Sequence, residues 1–106
     1  MERVDIYRQQ VQSFLFDFAA DDPNTQVVFD TEHDRYLVIH NAWHNDSRTY
    51  GCTIHLDIID GQVWIQHNST EIAIDQELSD RGIAKEDIVL GFRSPGVRLL
   101  LAQTRA

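Results

Sequence analysis

The sequence predicts an α+β fold in which an N-terminal helix packs on a four- to five-stranded, mainly antiparallel meander sheet. Residues 2–20 carry apolar side chains at helical spacing, and residues 26–66 contain β-rich runs between short polar turns. Strands that follow one another through short turns usually pair as neighbours. Helical patterns return after residue 70, which predicts a second helix and a short C-terminal helix.

The first helix is predicted from one apolar stripe at spacings of three and four residues. No Gly or Pro interrupts it, and the residue before Pro23 disfavours helical geometry, so the helix ends there. The stripe consists of Val4, Tyr7, Val11, Phe14, Leu15 and Phe18.

Two strands follow the helix. Residues 26–30 form a short strand, and residues 35–43 form a second one after a polar turn. The second strand shows no clean alternation, which predicts that both of its faces are covered. Residues 44–48 are expected to form a loop.

Asp60-Gly61 lies between two β-rich runs, residues 50–59 and 62–66, and is the clearest hairpin signal in the chain. A two-residue turn there pairs Asp57 with Trp64 and His55 with Gln66. These four residues share one face of the hairpin because side chains alternate along a strand. The other face is apolar and is the predicted core: Ile54, Leu56, Ile58, Val63 and Ile65.

The second helix is predicted over residues 71–81. Asn68 with Glu71 three residues later resembles a capping box. Gly82 suits the left-handed residue that ends a helix, after which Ile83 touches Leu78.

The C-terminal part of the chain, from residue 88 onward, completes the fold. Residues 88–92 predict a fifth strand. Ser94 followed by Pro95 predicts the cap and first turn of a helix that continues over residues 97–102.

The bulk properties favour one domain, residues 1–106, in the cytoplasm. The chain has 17 acidic and 9 basic residues, a net charge of −8, and such a chain is repelled by nucleic acid and by anionic membranes. No apolar run is long enough for a membrane span, and no secretory signal begins the chain. The single cysteine excludes an internal disulfide.

The histidines suggest a metal site. His55 and Asp57 share a strand face, and His40 and His44 could approach them from the neighbouring strand and loop. However, the chain has no HExxH, no cysteine pair and no EF-hand loop. We therefore expect no metal and no cofactor, with His55 paired to Asp57 or to solvent.

Neither candidate nucleophile has a supporting context. Cys52 alternates with Ile54 and is expected to be a small buried core residue. His40 or His55 would have to act as its base, and nothing in the sequence orients such a pair. Ser94 lacks a Gly-x-Ser-x-Gly context and is better explained as a helix cap.

Trp64 lies on the face opposite the predicted core, and two interpretations remain open. Either a helix covers this face and Trp64 is part of a core, or the face contacts another protein, as exposed aromatics often do. Trp43 joins the surface if the loop length allows. The candidate interaction surface comprises His55, Asp57, Trp64, Gln66 and Trp43.

Over about residues 7–98 the chain resembles the XisI-like family, the cyanobacterial fdxN element excision controlling factors. Ala42 and Ala84 depart from the Gly and Pro that are usual there, as does the Leu-rich tail. The matching segments are Phe29-Asp30-Thr31-Glu32, Asp34-Arg35-Tyr36-Leu37, Gly51-Cys52-x-Ile54-His55-x-Asp57-Ile58-Ile59-Asp60-Gly61, Trp64-Ile65-Gln66, Thr70-Glu71 and Lys85-Glu86-Asp87-Ile88-Val89-Leu90-Gly91-Phe92.

The resemblance implies a role in site-specific excision of a DNA element from a nitrogen-fixation gene region during heterocyst differentiation. It also implies a XisH-like partner protein, a recombinase that is a separate protein, and no catalytic residue to transfer. The leading interpretation is therefore a non-catalytic accessory protein that acts on DNA only indirectly.

Two other functions and one assembly state remain alternatives. Direct DNA binding needs a basic face, but the basic residues are scattered among acids: Arg3, Arg8, Arg81, Lys85, Arg93, Arg98 and Arg105. A small metal-dependent nuclease would use His55 and Asp57. A homo-oligomer would use an exposed Trp and the apolar strand that begins at Tyr36.

Overall fold

The computed structural model describes residues 2–105 and the side chains of residues 2–101. It confirms the α+β fold. No helix in this part of the chain combines the length and apolar character that crossing a membrane requires. The elements in order are helix α1 (Arg3–Ala19), strands β1 (Thr25–Asp30), β2 (Arg35–His44), β3 (Ser47–Ile59) and β4 (Gln62–Asn68), helix α2 (Ile74–Asp80), a 3₁₀ turn (Lys85–Asp87), strand β5 (Ile88–Val89) and helix α3 (Pro95–Arg105).

The five strands form one sheet in the order β1-β2-β3-β4-β5. The first four strands are antiparallel, as the meander predicts, whereas β5 runs parallel to β4 and pairs Ile88 with Val63. The predicted fifth strand over residues 88–92 is too long. The chain turns after Val89, because the Gly91 N–H donates to the Val89 carbonyl and the Phe92 N–H donates to the Ile65 carbonyl.

The core lies between α1, α2 and one face of the sheet, hereafter the core face. All five apolar hairpin residues predicted for the core are buried, as are Tyr36 and Val38 of β2. From α1, Tyr7, Val11, Phe14 and Leu15 pack on this face. Burial of an apolar side chain contributes about 1.5–3 kcal/mol, so α1 is held mainly by this stripe.

The hairpin turn forms as predicted. Asp60 and Gly61 both have positive φ, 52° and 76° respectively, as a type I′ turn requires. The turn sets Asp57 opposite Trp64 and Ile58 opposite Val63.

Farther along the sheet, two β-bulges shift the strand register away from the predicted one. In β4 an extra residue, Gln66, shifts the ladder so that His55 pairs with His67. The predicted pairing of His55 with Gln66 is therefore wrong. In β3 the extra residue is Thr53, and Cys52 pairs with Ile39. Cys52 consequently lies on the opposite face to Ile54 and is only partly buried, which contradicts the predicted core position.

Two helix ends follow the sequence signals and one does not. Gly82 has φ 101°, and the Ile83 N–H donates to the Leu78 carbonyl at 3.1 Å, which completes the predicted Schellman motif. The Val97 N–H donates to Ser94 Oγ at 3.3 Å, so Ser94 caps α3. The Asn68 capping box is wrong, because α2 begins at Ile74.

The side chain of Asn68 is used within its own loop. Its Oδ1 accepts from the Thr70 N–H at 2.9 Å, and its Nδ2 donates to the Ile72 carbonyl at 2.9 Å. These bonds form an Asx turn, a conformation that competes with helix.

Candidate functional site

A short hydrogen-bonded chain of polar residues occupies the face of the sheet opposite the core. His55 Nε2 lies 2.8 Å from Asp57 Oδ1, and Gln66 Nε2 donates to Asp57 Oδ2 at 3.2 Å. His55 and Asp57 are two residues apart on β3, so their side chains point the same way. The bulge in β4 brings Gln66 beside them. Both oxygens of Asp57 therefore have a partner within the protein.

A histidine that is oriented by a carboxylate can act as a general base. A metal-dependent reaction would need further ligands around the pair. His40 and His44 do not supply them, because the register of β2 puts both on the core-face side, with Tyr36 and Val38. Across the described residues, no three His, Cys, Asp or Glu side chains come together in a group that could hold a metal ion.

Trp64 is half-buried under the chain that follows β5. The Arg98 guanidinium of α3 lies 5.1 Å from the centre of the Trp64 ring, within cation–π range. A methyl carbon on Gly91 would lie only 2.5 Å from Gln66 Oε1 and 3.1 Å from Trp64 Cε3. Glycine therefore lets this segment lie close against Trp64 and Gln66. The indole Nε1 of Trp64 is buried and has no hydrogen-bond partner among the described residues.

Trp43 lies apart from this group, on a projecting hairpin. The last β1 partner along β2 is His40, and β4 pairs with β3 only from Ile54 onward. The Asn41 N–H still donates to the Asn24 carbonyl at 2.8 Å, but the rest of residues 41–50 extends past both neighbours. These residues pair with each other around a tight turn at Asn45. We call this segment the arm; the predicted loop over residues 44–48 is wrong, because strand pairing continues to His44 and Ser47.

The arm displays an arginine between two aromatic rings. Trp43 and Tyr50 are each 65% exposed, and the Arg48 guanidinium lies 5.4 Å from the centre of each ring. Arg48 Nη2 also donates to Asn41 Oδ1 at 2.8 Å. These contacts hold the four side chains together as two cross-strand pairs on one face of the arm.

The chain matches the family model described as XisI protein over residues 1–102. This chain belongs to the XisI family. Solved structures agree with that assignment. A XisI-like protein from Anabaena variabilis is 35% identical, with a TM-score of 0.86 over 92% of this chain and 94% of that one.

A second XisI structure carries a functional name. The fdxN element excision controlling factor XisI from Anabaena variabilis is 29% identical, with a TM-score of 0.76. The match covers 92% of this chain and 99% of that one, so the likeness extends over nearly the whole of both proteins. A comparison with curated proteins gave no match.

Of the five residues predicted for an interaction surface, this XisI-family structure groups His55, Asp57, Trp64 and Gln66 and places Trp43 on the arm. Sequence reasoning missed Arg48, Asn41 and Arg98, which contact the two tryptophans or their neighbours. Asn45-Asp46 between two β-rich runs was a usable signal for the arm, because both residue types favour turns.

Proposed function

We propose that this XisI-family protein is a controlling factor for site-specific excision of a DNA element, and that it acts as a non-catalytic accessory protein through a XisH-like partner. The observation that carries the proposal is the likeness, over 92% of the chain, to a structure named fdxN element excision controlling factor XisI. A controlling factor changes when or where another protein acts, so its function depends on contacts with that protein.

The state of the candidate nucleophile supports a non-catalytic role. Burial raises the pKa of the Cys52 thiol, and its Sγ donates to the Ile54 carbonyl at 3.2 Å. A reactive cysteine needs the opposite environment, one that stabilises the thiolate.

The pairing of the basic residues supports an indirect action on DNA. Arg8 binds Asp5 and Asp34, and Arg81 binds Asp17. Phosphate contacts require arginines and lysines whose charge is available to the backbone. These arginines are instead neutralised by the protein's own acids.

The proposal is tested by mixing the purified chain with its XisH-like partner at about 10 µM, where a specific complex should form, and by following excision of a reporter element in cells. We expect the two proteins to co-elute, and we expect excision to require this chain. Separate elution of the two proteins would refute the proposed interaction with the XisH-like partner.

Two variants separate the accessory role from an enzyme. His55→Gln and Asp57→Asn should leave excision within a few-fold of wild type if the pair is structural. A loss of about 100-fold or more in both, with folding intact, would favour the nuclease, because that is the size of a general-base contribution.

A further inference from the structure

Within the described chain, the outer part of the arm has no neighbouring strand to pair with. The arm is a two-stranded ribbon whose outer residues pair only across the arm, with Ala42 opposite Thr49 and Trp43 opposite Arg48. Isolated two-stranded hairpins are marginally stable in water. Trp43 and Tyr50 nevertheless present most of their surface to solvent. A ribbon of this kind is expected to pack against another protein surface.

The bulge at Thr53 makes the arm continuous with a larger apolar surface. Because Cys52 pairs with Ile39 and Tyr50 pairs with Asn41, these residues share the face of Leu37 and His55. Val28 of β1 is directly opposite Leu37 and is 48% exposed. We call this surface the open face: it consists of Val28, Leu37, Ile39, Cys52, Trp43, Arg48 and Tyr50.

The exposed area of the chain is large for its mass. A compact monomer of 12.3 kDa is expected to expose about 6100 Å². This chain exposes 6916 Å². Highly exposed apolar side chains contribute to this surface on the arm, at Trp43 and Tyr50, and on α3, at Leu99 and Leu100.

The charge distribution indicates which partner fits. Between residues 35 and 56 the chain has one acid, Asp46, and two arginines, Arg35 and Arg48, although it has 17 acids in all. Two further acids, Asp30 and Asp57, lie on the same sheet face on either side of Arg35, and each has a histidine nitrogen at 2.8 Å. Two copies with a charge of −8 each repel one another, and that repulsion is smallest where acids are absent. A basic partner would instead be drawn to the acidic surfaces elsewhere.

Nucleic acid fits this surface less well. Phosphate binding requires a cluster of cations, and Arg48 is the single arginine among the residues that define the open face.

We propose that the open face binds a second copy of this chain in a two-fold dimer, in which the arm of each protomer packs across Val28 and Leu37 of the other. A two-fold contact uses the same patch on both copies, so one self-complementary surface is sufficient. The face has the composition that such contacts favour, with aromatic rings and arginine at its outer end and aliphatic side chains at its base. This dimer is independent of the XisH-like partner.

The test measures the mass of the chain alone by sedimentation equilibrium at concentrations up to about 100 µM, which covers the affinity range of standard interfaces. We expect wild type to reach twice 12.3 kDa. Trp43→Ala and Tyr50→Ala should each raise the dissociation constant at least about tenfold, as truncation of aromatic anchors does in interfaces. The matched control is Phe16→Ala, since Phe16 is an equally exposed aromatic (63%) on α1.

A second control addresses the other exposed apolar residues. Leu100 of α3 is 62% exposed, and Leu100→Ala should leave the dimer intact. Hydrogen exchange of wild type gives an independent measurement: amides 42–49 should become protected as the concentration rises. A monomeric wild type, a dimer that survives both arm variants, or a dimer lost only in Leu100→Ala would overturn the proposal.

Discussion

Asp34 connects the first helix to the sheet through three side-chain hydrogen bonds. Arg8 Nε and Nη2 donate to its two carboxylate oxygens at 2.7 and 3.0 Å, and the Tyr36 hydroxyl donates at 2.9 Å. The bonds from Arg8 hold the pKa of the Asp34 carboxyl below its ordinary value. The residue has φ 56°, a left-handed conformation in which Asp and Asn are favoured over other side chains.

Replacing Asp34 with Asn measures how much the charge of the Asp34 carboxylate contributes to the free energy of unfolding. Asn keeps the backbone preference but loses the ionic bonds, so we expect Asp34→Asn to lower the free energy of unfolding by about 2 kcal/mol at pH 7. A carboxyl with a lowered pKa in the folded state stabilises the fold above its unfolded pKa of about 3.9. That stabilisation is lost as pH falls through the lower, folded value.

The measurement is urea unfolding of both proteins at neutral pH and again at about pH 3, below the unfolded pKa. The difference between wild type and Asp34→Asn should shrink at the acidic pH. A difference of the same size at both values would show that the carboxyl charge does not stabilise the fold.

At the scale of the elements, the turn after β5 depends on the absence of a side chain at residue 91. A methyl group on Gly91 would meet Gln66 Oε1, so the Gln66 amide would have to move away from Asp57. We expect Gly91→Ala to lower the free energy of unfolding by about 1 kcal/mol, the value of one hydrogen bond. Thermal unfolding followed by tryptophan fluorescence measures the loss.

Gly96→Ala is the matched control for this turn. A methyl group on Gly96 meets nothing within 4 Å, and alanine is the better helix former within α3. Gly96→Ala should therefore be neutral or stabilising. Equal stability of Gly91→Ala and wild type would mean that Gln66 and Trp64 have room to adjust.

The elements that were predictable are those specified by local chemistry. The turn at Asp60-Gly61 and the helix end at Gly82 both need left-handed residues, and the chain has suitable residues there. The α1 stripe and the hairpin core face followed from periodicity alone. The helix cap at Ser94 followed from the Pro after it.

The features that were missed depend on contacts distant in sequence. Nothing in residues 50–68 marks Thr53 or Gln66 as the extra residue of a bulge, because the bulge is set by the strands on either side. Each bulge moves the following side chains to the other face. For this reason the sequence predicts a core position for Cys52 and does not fix the face on which Trp43 lies. The parallel direction of β5 likewise depends on how the chain returns to the sheet after α2.

At the scale of the whole molecule, the chain is elongated. Its radius of gyration is 14.7 Å, against about 13 Å for a compact chain of this length, and its extents are 50 × 34 × 24 Å. The arm projects from the sheet and leaves the aromatic rings accessible. The acids lie mostly away from it, so the shape and the charge distribution single out the same surface.

Salt should therefore strengthen the proposed dimer. Each copy carries a charge of −8, and mobile ions screen the repulsion between the two over about 10 Å at 0.1 M salt. We expect the dissociation constant to fall several-fold between about 0.05 M and about 0.5 M sodium chloride, measured by sedimentation equilibrium. Nucleic acid responds in the opposite direction, because salt weakens binding that releases counterions. A dissociation constant that rises with salt would mean that opposite charges meet across the interface, which would contradict a contact made mainly by aromatic and aliphatic side chains.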